Sequence, residues 1–149
     1  MRRILLSFLV GALFSAPAPQ RLSAQSDLNA LAASVAAAWS RHDFAGVVGS
    51  GRVELRISGV SAAGPLPADQ ATALLAAYAR ETEEVSVVVV TATPVGPESG
   101  YAELRRSYRR RGAGDPLQES ILLGFVKGPG PEGVWQVSVV EITGTRSGQ

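Results

Sequence analysis

Three strand-like stretches, Tyr101–Arg110, Leu117–Lys127 and Val134–Ile142, are separated only by Gly112-Ala113-Gly114-Asp115-Pro116 and Gly128-Pro129-Gly130-Pro131-Glu132-Gly133. Glycine supplies positive φ and proline a fixed φ, so both separators read as turns. A parallel crossover needs a dozen or more residues, so links this short force neighbouring strands to run antiparallel. A fourth segment, Val85–Val90, precedes them and ends in the turn residues Thr93-Pro94-Val95-Gly96-Pro97. Its β-branched residues fall on both faces, which predicts a strand either central in the sheet or covered on its outer face by a partner. The second half of the sequence is thereby confined to a four-strand meander.

Upstream the period changes. From Asp27 onward, Leu28, Leu31, Ala32, Val35, Ala38 and Trp39 recur at helical spacing, with Ser26 or Asp27 available as N-cap. Ser40-Arg41-His42-Asp43 interrupts this helix, and Asp43 can cap a short second one through Phe44, Val47 and Val48, before Gly49 and Gly51. Val53, Leu55 and Ile57 then alternate with Arg52, Glu54 and Arg56, as in a strand with one face buried. After a loop from Gly59, Pro67 suits the first turn of a third helix whose buried stripe is Ala71, Leu74, Leu75, Tyr78 and Ala79. The predicted order is α-α-β-α-β-β-β-β, an α+β chain without internal repeat.

The first residues have the grammar of an export signal. Met1-Arg2-Arg3 is positive, Ile4 to Phe14 is apolar, and small residues with prolines follow. The apolar run falls short of the roughly 20 residues that cross a bilayer. Cleavage after Ala16-Pro17-Ala18 would meet Pro19, whereas Ser23-Ala24-Gln25 offers a better site. The expectation is a signal peptide over 1–25, one domain over 26–143 and a flexible tail over 144–149. The mature protein is expected to be secreted or periplasmic, with no cysteine to carry a lipid anchor and no second apolar span.

Hydrophobic residues make up 46% and charged residues 18% of the chain, enough apolar material for a packed core. The formal charge of +1 misleads, because Arg2, Arg3 and Arg21 lie in the leader; without them 11 basic residues face 13 acidic ones, a net of −2. Nucleic acid is therefore not an expected partner, since phosphate neutralisation wants a basic excess. With no cysteine and His42 as its one histidine, the chain cannot supply thiolate nucleophiles, disulfides, iron–sulfur clusters or the usual zinc sites. No D-x-D-x-D-G run appears, so no metal and no other cofactor is expected.

The element order, the junction Trp39-Ser40-Arg41-His42-Asp43-Phe44 and the strand opening Gly133-Val134-Trp135-Gln136-Val137 resemble the nuclear transport factor 2-like superfamily. The resemblance spans almost all of the mature chain and is greatest to small secreted bacterial members of unknown function. It implies an α+β cone, with three helices packed on a curved antiparallel sheet and a pocket open at one end. The superfamily holds ketosteroid isomerases, polyketide cyclases and dehydratases beside many members without known catalysis, so the fold leaves activity open. In the isomerases a pocket aspartate moves a proton while a tyrosine and a protonated acid stabilise the enolate. Here the strands offer Glu54, Glu103, Glu119 and Glu141 but no aspartate, and Glu54 faces away from the Val53/Leu55/Ile57 side. The isomerase constellation is not matched.

Other motifs read structurally. His42-Asp43 could do acid–base work, but adjacent residues in a helix–helix turn rarely let the carboxylate orient the imidazole, and the aspartate serves as a cap. No G-x-S-x-G is present. Gly128 to Gly133 spells G-x-G-x-x-G, yet its two prolines remove amide donors and a strand follows where a nucleotide site needs a helix. Five arginines crowd Leu104–Arg111 with Tyr108. Arg105, Arg109 and Arg110 are candidate anion-binding residues; the alternative is a solvated hairpin balanced by Glu81, Glu83, Glu84 or Glu119. If Ala102 and Leu104 face inward, Arg106 and Tyr108 continue that face. With Trp39, Tyr78 and Phe125 they are the pocket-lining candidates, unless these aromatics and Trp135 simply fill the core.

Taken together, these features lead to an exported, non-catalytic binding or interaction module, with a small apolar ligand or a protein, including a second copy, as partner. The rivals are a small-molecule isomerase or dehydratase using the cone pocket, and an anion or envelope-surface binder working through the arginine strand.

Overall fold

The computed structural model describes residues 19–59, 64–130 and 132–146. Helix α1 (Pro19–Ser40) and the short α2 (Phe44–Val48) lead into strand β1 (Glu54–Ile57), followed by α3 (Ala68–Ala79). Strands β2 (Thr82–Pro94), β3 (Ser99–Arg110), β4 (Leu117–Lys127) and β5 (Trp135–Arg146) complete the chain. The element order is the one the periodicity predicts, and the architecture is α+β. The sheet runs β1-β5-β4-β3-β2, the last four strands an antiparallel meander. β1 alone pairs parallel, Leu55 lying opposite Val140, so the sheet is mixed rather than wholly antiparallel. The long excursion through α3 and three strands between β1 and β5 supplies the crossover that parallel pairing requires.

Alternation decides which face is buried. On β3, Ala102, Leu104, Arg106 and Tyr108 face the helices, and on β4 Glu119, Ile121, Leu123 and Phe125 do. From α1, Leu28, Ala32, Val35 and Trp39 pack down, joined by Val47 and Val48 of α2 and Leu75 of α3. Asp43 caps α2 as its position predicts, its carboxylate accepting from the Gly46 amide at 3.0 Å. Leu74 departs from the predicted stripe: it stands at the exposed side of α3.

Two boundaries differ from the sequence reading for identifiable reasons, and of the two places open to the valine strand the central one is excluded. α1 starts at Pro19 rather than near Asp27. The extra turns are held against the sheet, where the Gln25 side-chain amide donates to the Ala92 carbonyl at 2.6 Å. β5 continues through residues 144–146, placed with the tail above, because β4 remains opposite it as far as the Gln118–Arg146 pair. The valine strand is not central: β2 forms the sheet edge, and Val85, Val88 and Val90 are 50%, 49% and 44% exposed. Register shifts at Glu84/Ser86 and Val89/Thr91 mark two bulges in it, the local bends by which sheet edges commonly discourage open-ended pairing. Residues 1–18, most of the expected leader, lie outside the described part, as do 147–149.

Gly100 on β3 lets α1 approach, since a Cβ there would stand 2.6 Å from Leu28 Cδ1 and 3.1 Å from the Thr93 carbonyl oxygen. Gly100→Ala is expected to destabilise the fold by roughly 1–3 kcal/mol, the usual cost of overpacking. Urea denaturation of the variant checks this; an unchanged midpoint contradicts the close approach.

Candidate functional site

The chemistry inside the cone gathers on Arg106, whose side chain is fully buried. A buried guanidinium needs partners for both its charge and its five N–H groups. Nε donates to Glu84 Oε2 at 2.8 Å and Nη2 to Glu84 Oε1 at 2.5 Å, a two-pronged fork. Nη1 donates to Glu119 Oε1 at 2.5 Å, and Nη2 also to Thr82 Oγ1 at 2.6 Å. The guanidinium carbon lies 4.1 Å from the Tyr108 ring centroid, 5.6 Å from that of Trp39 and 5.8 Å from that of Tyr78, so aromatic faces surround the cation.

Two further groups extend the cluster. The Tyr78 hydroxyl, on α3, donates to Glu119 Oε2 at 2.6 Å. His42 Nε2 lies 3.0 Å from Glu84 Oε1, and the imidazole stacks on Phe44 with centroids 5.5 Å apart. His42 sits just past α1 at φ 57, the left-handed conformation that glycine usually takes there. The Asp43 amide reaches back to the Ala38 carbonyl at 2.9 Å and the His42 amide to that of Trp39 at 2.8 Å, closing the helix end. A residue with a β-carbon is uncommon in this region, and here it places its ring against Glu84.

The electrostatics follow from this packing. Burial works against the charged form of Arg106, but hydrogen bonds and charge from Glu84 and Glu119 outweigh it and hold its pKa above the ordinary arginine value. Burial, together with the Glu119 carboxylate, raises the Tyr78 hydroxyl well above the usual phenol range. The phenol thus stays protonated as the donor that Glu119 requires.

Of the residues singled out in the sequence, Trp39, Tyr78, Arg106 and Tyr108 meet here. Phe125 is buried six residues along β4 from Glu119, about 20 Å at strand rise, and belongs to another part of the core. Arg105 and Arg109 lie on the opposite face of β3 from Arg106, and Arg110 is exposed at the strand end. Glu84, Glu119 and Thr82 were not singled out as site residues. Glu119 carried a readable signal: folding β3 and β4 about the Gly112–Pro116 turn sets it opposite Arg106. Glu84 carried none, because two bulges shift β2 by two residues and bring it opposite Tyr108 instead of Arg110.

Two depressions, of about 500 and 350 Å³, open on the surface, the first reaching the cluster at Glu119. The first is lined by Glu103, Arg105, Gln118, Ser120 and Thr143 among others, the second by Arg56, Glu141 and Thr143 among others. None of the five pocket-lining candidates borders either one. Around Arg106 the cone is filled by side chains, and among the described residues no group of three or more metal-ligating side chains occurs.

No family model and no curated protein matches the sequence. Solved structures do. A ketosteroid isomerase-like protein from Erwinia carotovora atroseptica superposes with TM-score 0.68 at 14% identity, covering 83% of this chain and 97% of its own. A domain of unknown function with a cystatin-like fold from Nostoc punctiforme gives 0.61 at 16%, covering 85% and 78%. An NTF-2-like protein of unknown function from Shewanella oneidensis gives 0.56 at 12%, covering 80% and 98%. The chain therefore has the nuclear transport factor 2-like cone fold.

Tyr78→Phe is expected to cost about 1–3 kcal/mol by leaving a Glu119 oxygen without its donor. It also changes the pH profile. A phenol raised in the folded state contributes stability that is fully present below the unfolded value of about 10 and is lost as pH rises toward the folded value. Denaturation midpoints from pH 8 to 11.5 should fall at the alkaline end in the native protein and fall less in the variant. Arg106→Met leaves two buried carboxylates without a cation and should cost roughly 3–5 kcal/mol; a midpoint within 1 kcal/mol of native would contradict the clamp.

Proposed function

We propose that the protein is an exported, non-catalytic binding or interaction module built on the cone fold. The supporting observation is the state of the groups in the cone that could do acid–base work. Glu84 and Glu119 are both engaged by Arg106, Tyr78 donates to Glu119, and His42 bonds to Glu84. A general base needs a free lone pair within reach of a substrate proton, and these lone pairs point at a cation fixed inside the core. Export rests on the leader pattern of Met1 to Ala18. With the leader bounded at residue 25, export removes Gln25 and its bond to Ala92, and the mature chain begins within α1.

The partner surface we assign to the sheet edge, where Val85, Val88 and Val90 are exposed and Val88 lies opposite Arg105. A second copy packed on this exposed apolar face, and not paired along the bulged edge, is the partner we assign. One observation keeps the enzyme reading as the alternative: a tyrosine hydroxyl donates at 2.6 Å to a buried carboxylate inside the cone. Exposed Arg105, Arg109 and Arg110 keep the anion-binding reading alongside it.

Native mass spectrometry of the protein from the export compartment tests the proposal. The expected result is a chain shortened by the leader and assembled as a dimer, with Val88→Lys/Val90→Lys shifting it to monomer. A full-length chain found only in the cytosol overturns export. Salt-sensitive binding to acidic polymers that Arg105→Ala/Arg109→Ala removes would favour the anion reading instead.

A further inference from the structure

Glu84 is the odd member of the buried cluster. Arg106 carries one positive charge and Glu119 already balances it from the neighbouring strand, so Glu84 is a second carboxylate on one cation. Its geometry is that of a bound carboxylate. Both oxygens are taken by the guanidinium fork, and Oε1 also receives His42 Nε2 at 3.0 Å, with the Thr82 hydroxyl at 3.4 Å. Its attachment differs from that of the other groups. Glu119 is carried by β4, between two strands, whereas Glu84 rides on edge strand β2 directly beside a bulge. A bulged edge residue can swing outward without unzipping a ladder on both sides. An unused donor lies close by: Trp39, fully buried with its ring 5.6 Å from the guanidinium carbon, has no partner for Nε1.

We infer that Arg106 and His42 form a carboxylate-binding site that Glu84 occupies as an internal ligand, and that a small monocarboxylate with a flat apolar body displaces it. One anion replaces another, so the charge of the buried cluster is unchanged. The guanidinium fork reads the acid, and the apolar body takes the space that the Glu84 side chain vacates beside Tyr108, its cross-strand neighbour. The affinity in the native protein is lowered by the fraction of time Glu84 holds the site.

The inference deepens the reading as a binding module and rests on it, yet the two fail separately. Turnover of a bound carboxylate overturns the module and leaves the site. Absence of binding overturns the site, while export and dimer formation are measured independently.

The test is titration of benzoate, with benzamide at matched ionic strength as control, followed by the nuclear magnetic resonance shift of Arg106 Nε–H. In the native protein benzoate should move this resonance saturably and benzamide should not. In Glu84→Ala the same shift should saturate at a concentration at least about tenfold lower, as removal of an internal competitor requires. Should Glu84→Ala fail to fold, Glu84→Gln keeps the shape and weakens the competitor, and tighter binding is expected there too. An unmoved native resonance, equal affinity in native protein and variant, or equal binding of benzamide each overturns the proposal. Short peptides with a free or an amidated terminus separate the two sources. Binding by the free-terminus peptide alone assigns a chain end, and benzoate binding without peptide binding assigns a free acid; either supports the site.

Discussion

One buried cation organises this molecule. Arg106 is the point where β2, β3, β4, α3 and the α1–α2 turn all present a side chain, and a charge taken that far from water must find partners wherever it sits. Such clusters add little net stability over a well-packed apolar core, because desolvation offsets their attraction. What the cluster contributes here is register. A one-residue slip of β3 against its neighbours would turn Arg106 to the outer face and leave Glu119 buried alone, so a slipped pairing carries a penalty that apolar residues would not impose. The aromatic rings of Trp39, Tyr78 and Tyr108 complete the enclosure of the guanidinium.

Much of the fold was legible because it depends on local chemistry. Asp43 as a cap, the period change at Val53 and the Gly/Pro turns between strands all follow from single residues in short windows. What escaped notice depends on pieces brought together from afar. The extension of α1 back to Pro19 is held by Gln25 on Ala92, a contact 67 residues away. The place of β2 at the edge, despite its four consecutive valines, is decided by which strands pair and not by its own composition. At the site, Arg106 and Tyr108 share a face as alternation predicts, and the hairpin arithmetic reaches Glu119. Glu84 needs two bulges that no residue pattern announces, and Phe125, equally aromatic and buried, lies elsewhere because it is on the wrong part of β4.

The structural neighbours share a shape at 12–16% identity and differ in what their names claim, from isomerase-like to unknown function. The shape is a container whose contents are decided residue by residue. In this chain the contents are an arginine between two glutamates. Any reading of function must begin there, since the groups that would serve catalysis are the same ones that hold the sheet to its helices.

The parallel pairing of β1 with β5 has a consequence for how the chain reaches this state. Arg56 and Glu141, adjacent across that pair, are 85 residues apart in the sequence. The helices and the β2–β4 meander can assemble from near neighbours, but the seam between first and last strands closes a loop of that length. High contact order of this sort slows folding and leaves apolar surface uncovered meanwhile. Until β5 emerges from the ribosome, β1 has no strand to join, and the meander ends on the bare edge of β4. A nascent chain of this protein thus holds β1 unpaired until β5 has been made, the condition in which chaperones and translocation machinery find unfolded substrates.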